Sequence, residues 1–109
     1  MTPAGPRRKP LIRHTVAFRL KHSPDSELET SFLNAAKALA AIPTVQNFEW
    51  LRQVSDKNPF KFGFSMEFAT QEDYAAYNIH PDHIRFVESR WKAEVAEFLE
   101  IDYVPFVPD

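Results

Sequence analysis

Three features of this 109-residue sequence predict an α+β domain with the element order β-α-β-β-α-β. Apolar and polar residues alternate from Leu11 to Leu20 and again from Phe60 to Ala69, as in strands with one buried face. Helical spacing follows each of these stretches, and the second helical pattern is broken at His80-Pro81. This order is the ferredoxin-like arrangement, a four-stranded antiparallel sheet with helices on one face.

Composition narrows the class of protein. Apolar residues make up 44% and charged residues 26%, a balance typical of one globular domain. The net charge of −2 argues against nucleic-acid binding, which usually needs a basic face. No apolar run approaches the roughly 20 residues that span a membrane, and no signal peptide is visible, so we expect no membrane partner and a cytoplasmic location.

The first strand, Leu11 to Leu20, follows an N-terminal stretch without periodicity. Residues 1–10 hold three prolines and a glycine, which favours a flexible arm. In the strand, His14 falls on the apolar side together with Ile12, Val16, Phe18 and Leu20. We therefore expect the His14 ring to point toward the core.

The first helix is predicted to begin at Ser23-Pro24-Asp25, with Ser23 as the N-cap and proline at the first helical position. Apolar residues follow at helical spacing from Leu28 to Ala40, and Pro43 ends the pattern. This helix is expected to bury a single stripe and to carry no chemistry.

A hairpin follows the first helix. Residues 45–54 predict the second strand, and the turn-forming residues 55–59 lead into a third. The third strand places an aromatic row on one face: Phe60, Phe62, Phe64, Met66 and Phe68. We expect this row to pack under the helices, and part of it to form the wall of an apolar pocket.

The break in the second helix is where titratable groups concentrate. Residues 70–73 predict a capped start, and the helix then carries Tyr77 to the break, because Pro81 cannot continue it. A further helical piece begins at Pro81, so Tyr77 and His83 can face the same space from two helical pieces. Residues 98–104 alternate as the fourth strand, and residues 106–109 form a tail.

The two helices can cover only one face of the sheet. The opposite face is predicted to carry Ala17, Val45 and Leu51 beside its charged residues. A soluble protein seldom leaves such a face bare, and two sheets stacked face to face would cover it. A homodimer follows as a hypothesis.

Three segments give the chain a resemblance to the stress-responsive dimeric α/β-barrel (Dabb) family. They are Ile12-Arg13-His14-Thr15-Val16-Ala17-Phe18, His80-Pro81-Asp82-His83 with Ile84 and Phe86 behind it, and Ile101-Asp102-Tyr103. The resemblance covers residues 11–105. It implies a dimer whose two sheets form a barrel with the helices outside.

The resemblance also implies a site. One member of the family, olivetolic acid cyclase, is a plant enzyme that closes a ring by aldol condensation, and its catalytic tyrosine and histidine have the spacing of Tyr77 and His83. A further histidine of that enzyme corresponds to His14, whereas Phe62 stands where it has another histidine. We therefore take His83, Tyr77 and His14 as the candidate catalytic residues. The candidate ligand contacts are Phe18, Phe60, Phe62, Phe64, His80 and Phe86.

The sequence leaves three functions open. The first is a small apolar carbonyl ligand bound at Tyr77 and His83 without turnover. The second is a polyketide cyclase or isomerase with His83 as base, since a neutral imidazole can take a proton from carbon beside a carbonyl. The third is a purely structural stress-related dimer, in which His80 caps the second helical piece and His83 bonds to backbone.

Cofactors and metals are not expected. Neither Gly5 nor Gly63 lies in a phosphate-binding loop, so a nucleotide or flavin is unsupported. His80 and His83 have Asp82 between them, but a zinc site needs three or four ligands and the chain has no cysteine.

Overall fold

Two of the alternating stretches, Ile12–Leu20 (β1) and Phe62–Phe68 (β3), form the centre of a four-stranded sheet. The computed structural model describes residues 11–106. Gln46–Arg52 (β2) and Val95–Tyr103 (β4) are the edge strands. The helical elements are Glu27–Ala35 (α1), Lys37–Ala40 (α2), Gln71–Asn78 (α3), Pro81–Phe86 (α4), a π-helical turn at Val87–Trp91, and Lys92–Glu94 (α5).

The strand order β2-β3-β1-β4, with every pair antiparallel, confirms the predicted ferredoxin-like arrangement. Val16 of β1 lies opposite Phe64 of β3 on one side and Glu100 of β4 on the other. Cross-strand partners share a face of the sheet. The register therefore decides which residues of β4 face the helices.

The predicted arm at residues 1–10, and residues 107–109 of the predicted tail, lie outside the described residues.

The side of the sheet that faces the helices carries an aromatic core. Phe18 is fully buried, with its ring centroid 4.7 Å from that of Phe64, 5.7 Å from Phe32 of α1 and 5.2 Å from Trp91 of the π-helical turn. These distances are typical of tilted aromatic pairs, which add to the energy of burial. One ring thus joins three elements of the fold.

The first helix begins later than predicted. Ser26, not Ser23, is the N-cap, and its hydroxyl accepts the backbone N–H of Glu29 at 3.2 Å. Asp25 has a φ of 62°, in the left-handed region, so a right-handed helix cannot run through it. The Glu29 carboxylate accepts the N–H of Asp25 and so stabilises the turn before the helix. Leu28, predicted to be buried, is 60% exposed.

The predicted bounds of the edge strands also need correction. A register shift between Gln46 and Glu49, with Asn47 at a φ of 52°, reverses the side on which the residues before it lie. Val45 therefore packs against the core and not on the opposite face. The fourth strand begins at Val95, because the chain becomes extended as soon as α5 ends.

The predicted break in the second helix is present. The Thr70 hydroxyl accepts the N–H of Asp73 at 3.0 Å and starts α3. After α3 ends, His80 caps α4, and its Nδ1 accepts the N–H of Asp82 at 3.1 Å. Pro81 occupies the first helical position, where its missing N–H costs nothing. Two short helices thus meet at an angle that the cap and the proline define.

The sheet face opposite the helices, here called the open face, carries an apolar row across all four strands. Leu51 lies beside Gly63, Gly63 beside Ala17, and Ala17 beside Leu99. Leu51 is 46% exposed and Leu99 50%, and Ile101 in the next row is 41% exposed. Such a contiguous apolar surface is typical of an interface.

Within the part of the chain that the structure describes, no helix is long and apolar enough to cross a membrane.

The core arrangement predicts the effect of deleting one ring. Phe18→Ala should lower the free energy of unfolding by about 3–5 kcal/mol, because the cavity it leaves lies among packed rings that cannot close over it. Leu28→Ala, an exposed site on α1, should change that free energy by less than about 0.5 kcal/mol. Urea unfolding followed by circular dichroism measures both. Similar losses in the two variants would contradict the placement of Phe18 at the centre of the core.

Candidate functional site

A cavity of about 470 Å³ lies between the helix-facing side of the sheet and the helical segment from α4 to α5. Its volume is within the range of small-molecule sites. Most of its wall is apolar, formed by Val16, Leu39, Phe64, Met66, Phe86, Val87, Trp91, Val95 and Phe98. Five polar residues complete the wall: His14, Tyr77, His83, Lys92 and Glu100.

The π-helical turn shapes one side of the cavity. Val87 and Trp91, its first and last residues, both line the wall. A π-helical turn accommodates one more residue than an α-helical turn and is frequent at functional sites. Trp91 stands nearly edge-on to Phe98 of β4, with ring centroids 5.5 Å apart, and this pair forms the part of the wall between helix and sheet edge.

His83 is held by the helix break. Its Nδ1–H donates to the carbonyl oxygen of Asn78 at 3.1 Å, and its ring lies against Tyr77 with centroids 4.3 Å apart. Because a carbonyl can only accept, the proton of the neutral ring is on Nδ1 and Nε2 keeps its lone pair. Burial lowers the pKa of His83 below the ordinary value of 6.5, and the nearby His14 acts in the same direction. His83 is therefore a neutral base whose Nε2 has no hydrogen-bond partner among residues 11–106.

Tyr77 supplies a hydrogen-bond donor beside that base. Its side chain is buried and lines the cavity, and no hydrogen bond joins its hydroxyl to another of residues 11–106. Burial raises the pKa of Tyr77 well above the ordinary value, and the charge of Glu100 raises it further. The hydroxyl thus stays protonated and can donate to a group in the cavity.

A second histidine stands on the sheet side, in a network of three side chains. His14 Nδ1 is 2.6 Å from an oxygen of Asp102, its cross-strand partner on β4. The Tyr74 hydroxyl donates to the other oxygen of Asp102 at 2.8 Å and lies 2.9 Å from His14 Nδ1. Burial, followed by the bond to Asp102, raises the pKa of Tyr74. The network orients the ring so that Nε2 lies on the side of Glu100, 4.0 Å from its carboxylate.

The structure brings the three predicted catalytic residues together at one cavity. His14, Tyr77 and His83 all line it, and the ring centroids of His14 and Tyr77 are 6.2 Å apart. Two of the predicted ligand contacts, Phe64 and Phe86, also line it. The catalytic roles themselves remain predictions.

The other four predicted ligand contacts lie outside the cavity wall. Phe18 and Phe62 belong to the buried core, where their side chains pack against each other and leave no space for a ligand. Phe60 precedes β3 in the loop, where its N–H donates to Asn58 and its carbonyl accepts from Gln53. The imidazole of His80 is used as the cap of α4.

Four residues at the site are not evident from the sequence. Asp102 and Glu100 alternate with apolar residues as exposed charges do, and only the register with β1 places them beside His14 and Val16. The helical pattern gives Tyr74 no partner. Trp91 is aimed at the cavity by the π-helical turn, which has no sequence pattern of its own.

The polar groups do not form a metal site. Over residues 11–106, no group of three or more His, Cys, Asp or Glu side chains is arranged to hold a metal ion. His80 and His83 have separate partners, the N–H of Asp82 and the carbonyl of Asn78.

Known proteins with similar sequences contain the same kind of domain. Residues 12–105 match the family model described as the stress-responsive A/B barrel domain, Dabb. A stress-response A/B barrel domain-containing protein of Arabidopsis thaliana is 29% identical over 96 residues, which are 86% of this chain and 36% of that protein. The chain thus spans about a third of the length of that relative.

Solved structures also match. A Dabb family protein of Mesorhizobium loti with a ferredoxin-like fold is 56% identical, with a TM-score of 0.88 over 91% of this chain and 100% of that one. A dimeric ferredoxin-like protein of unknown function from Thermobifida fusca is 20% identical, with a TM-score of 0.73 over 88% of this chain and 92% of that one. At that identity, the second match concerns the fold alone.

The environment of His83 predicts a pH effect. Because its folded-state pKa is lowered, the unfolded chain takes up this proton first, so the stability associated with neutral His83 is present above 6.5 and is lost as the pH falls below it. A pH titration of the imidazole Cε1–H signal by NMR should give a midpoint below 6.5. The His83→Gln spectrum, which lacks the signal, provides the assignment. A midpoint at or above 6.5 would contradict the burial of this ring.

Proposed function

The chain belongs to the stress-responsive A/B barrel domain (Dabb) family, and we propose that within this fold it binds a small, largely apolar carbonyl compound in the cavity beside the broken helix. One observation carries the proposal. Two polar groups, the Tyr77 hydroxyl and Nε2 of the half-buried His83, face a largely apolar cavity with their rings 4.3 Å apart and without a hydrogen-bond partner among residues 11–106. A donor beside a base matches a carbonyl oxygen beside an acidic C–H bond.

The chemistry that follows is proton abstraction next to the carbonyl. The Tyr77 hydroxyl donates a hydrogen bond to the carbonyl oxygen, and His83 Nε2 takes a proton from the adjacent carbon. The electron pair of the broken C–H bond forms the carbon–carbon double bond of an enolate, and the negative charge moves to the oxygen that Tyr77 holds. The enolate can recover a proton, as in an isomerase, or attack a second carbonyl, as in a polyketide cyclase.

The lowered pKa of His83 suits this step. A base acts only in its neutral form, and burial keeps His83 neutral through physiological pH. Its Nδ1–H remains bonded to Asn78, so the imidazolium formed by proton transfer still has a partner for that proton. The same bond fixes the ring orientation and therefore the direction in which Nε2 points.

A structural role is the second candidate, and two contacts favour it. His80 caps α4, and His83 bonds to the carbonyl of Asn78 across the break. Both bonds would stabilise the broken helix without any ligand. In that case the cavity would be a by-product of packing, and removing His83 would reduce stability only.

A hydrogen-exchange assay separates these functions. In D₂O, the wild-type protein should accelerate exchange of the protons next to the carbonyl of benzylacetone, followed by NMR. His83→Ala should slow that exchange by about a hundredfold or more, the usual contribution of a positioned base. Binding of benzylacetone, measured by calorimetry, should change little.

His22→Gln is the matched control. His22 bonds to Glu94 at 2.7 Å outside the cavity wall, and glutamine can keep a bond there, so exchange should be unchanged. Binding without accelerated exchange would assign the site to a carrier or sensor and exclude the catalytic step. No binding, with His83→Ala only less stable, would leave the structural role.

The open face supports a second part of the proposal, a homodimer. Its apolar row is exposed in one subunit, and two such faces stacked on each other would bury it. The ferredoxin-like relative from Thermobifida fusca is described as dimeric. The helices and the cavity would then lie on the outer sides of both sheets.

Charge within that row should disrupt the dimer. Leu99→Glu places a carboxylate where two sheets would meet, and sedimentation velocity at micromolar concentration should then show a monomer. Leu28→Glu, at an exposed leucine on α1, should leave the dimer intact. A monomeric wild-type protein would exclude the homodimer.

A further inference from the structure

The cavity wall carries a carboxylate that the proposed proton transfer does not use. Glu100 lines the cavity on the helix-facing side of β4, opposite Val16. Among residues 11–106, its ion-pair partner is His14, at 4.0 Å. Lys92, the other charged residue of the wall, is instead bonded to Glu88 at 2.7 Å. Glu100 is therefore the carboxylate whose charge a bound ligand would meet.

The gap between Glu100 and His14 has a definite size. At 4.0 Å, the carboxylate oxygen and His14 Nε2 are too far apart for a direct hydrogen bond. An oxygen atom placed between them can lie about 2.8 Å from both, which is an ordinary hydrogen-bond distance. The other nitrogen of His14 is already bonded to Asp102, so only Nε2 is free to contact a ligand.

We propose that Glu100 is a specificity-determining residue, which together with His14 receives a hydroxyl group on the ligand and disfavours ligands with a carboxylate. This inference rests on the proposed function and narrows its substrate class to hydroxy-substituted apolar carbonyl compounds. The hydroxyl has one proton to donate, and Glu100 and His14 Nε2 are the two acceptors within its reach. The carbonyl end of the same ligand is held by Tyr77.

The charge of Glu100 and the apolar wall around it disfavour ligands that carry a carboxylate or an amine. A ligand carboxylate would stand next to the carboxylate of Glu100, and like charges at such distances repel. A cationic amine would be attracted by Glu100, but it would have to leave water for a wall that is mostly apolar. Glu100 also acts on the other end of the site, because its charge contributes to the raised pKa of Tyr77. A neutral hydroxyl is the donor that fits.

Three probe compounds test this inference by ligand-observed NMR titration. Benzylacetone has the carbonyl alone, its β-hydroxy derivative adds the hydroxyl, and benzoylpropionate is a phenyl ketone that carries a carboxylate. The wild-type protein should bind the hydroxy derivative about tenfold more tightly than benzylacetone, the gain from one hydrogen bond to a charged acceptor. Benzoylpropionate should bind more weakly than benzylacetone.

Glu100→Gln, which keeps the shape of the side chain, should reduce the preference for the hydroxyl to less than about threefold and tighten benzoylpropionate by about threefold or more. Both changes are measured relative to the affinity of the same variant for benzylacetone. Glu72→Gln, which removes one exposed carboxylate from α3, should alter none of the three affinities. Thermal melts of both variants exclude a general loss of fold.

The outcomes separate this inference from the proposed function. If benzylacetone binds but the three probes keep the same relative affinities in Glu100→Gln as in the wild type, the role of Glu100 is overturned and the carbonyl site stands. If none of the probes binds the wild-type protein, the carbonyl site fails and the inference fails with it.

Discussion

The whole site depends on how the chain breaks and restarts between α3 and α4. Pro81 prevents α3 from continuing, and the His80 side chain replaces the missing helical partner of the N–H of Asp82. One turn later, His83 bonds back to the last residue of α3. The break is therefore closed by two imidazoles, and the second of them is fixed beside Tyr77. A continuous helix would place these two rings on a rigid common axis and remove the corner in which they face the sheet.

The opposite wall depends on a different constraint, the register of β1 against β4. That register places Asp102 opposite His14 and Glu100 opposite Val16. A shift by one residue would turn both carboxylates to the open face and bring Leu99 and Ile101 inward. The helix break and the strand register thus supply one polar wall each, and the aromatic rings between them keep the remaining surface apolar. The base His83, the donor Tyr77 and the carboxylate of Glu100 thus come from three different elements, α4, α3 and β4, around one cavity.

Local chemistry makes much of this predictable from the sequence. The proline break, the Thr70 cap and the period-two strands depend on neighbouring residues, so the fold and the meeting of Tyr77 with His83 can be inferred. The alternation of apolar and polar residues along a strand shows which face of the sheet a residue occupies. It does not show whether that residue lies in the packed core or at the wall of a cavity. The sequence therefore predicts Phe18 and Phe62 as pocket residues, although they are core. The contact of His14 with Asp102 joins residues 88 positions apart, and no local pattern contains it.

Every role proposed for the cavity requires a ligand's carbonyl group to lie between Tyr77 and His83. Isotope-filtered NOE spectroscopy on labelled protein with unlabelled benzylacetone measures this most directly. With the carbonyl in that position, cross-peaks should join the ligand methyl group to ring protons of Tyr77 and His83, and its phenyl group to the apolar wall at Trp91 or Phe98. Cross-peaks confined to open-face side chains such as Leu99 and Ile101 would contradict it.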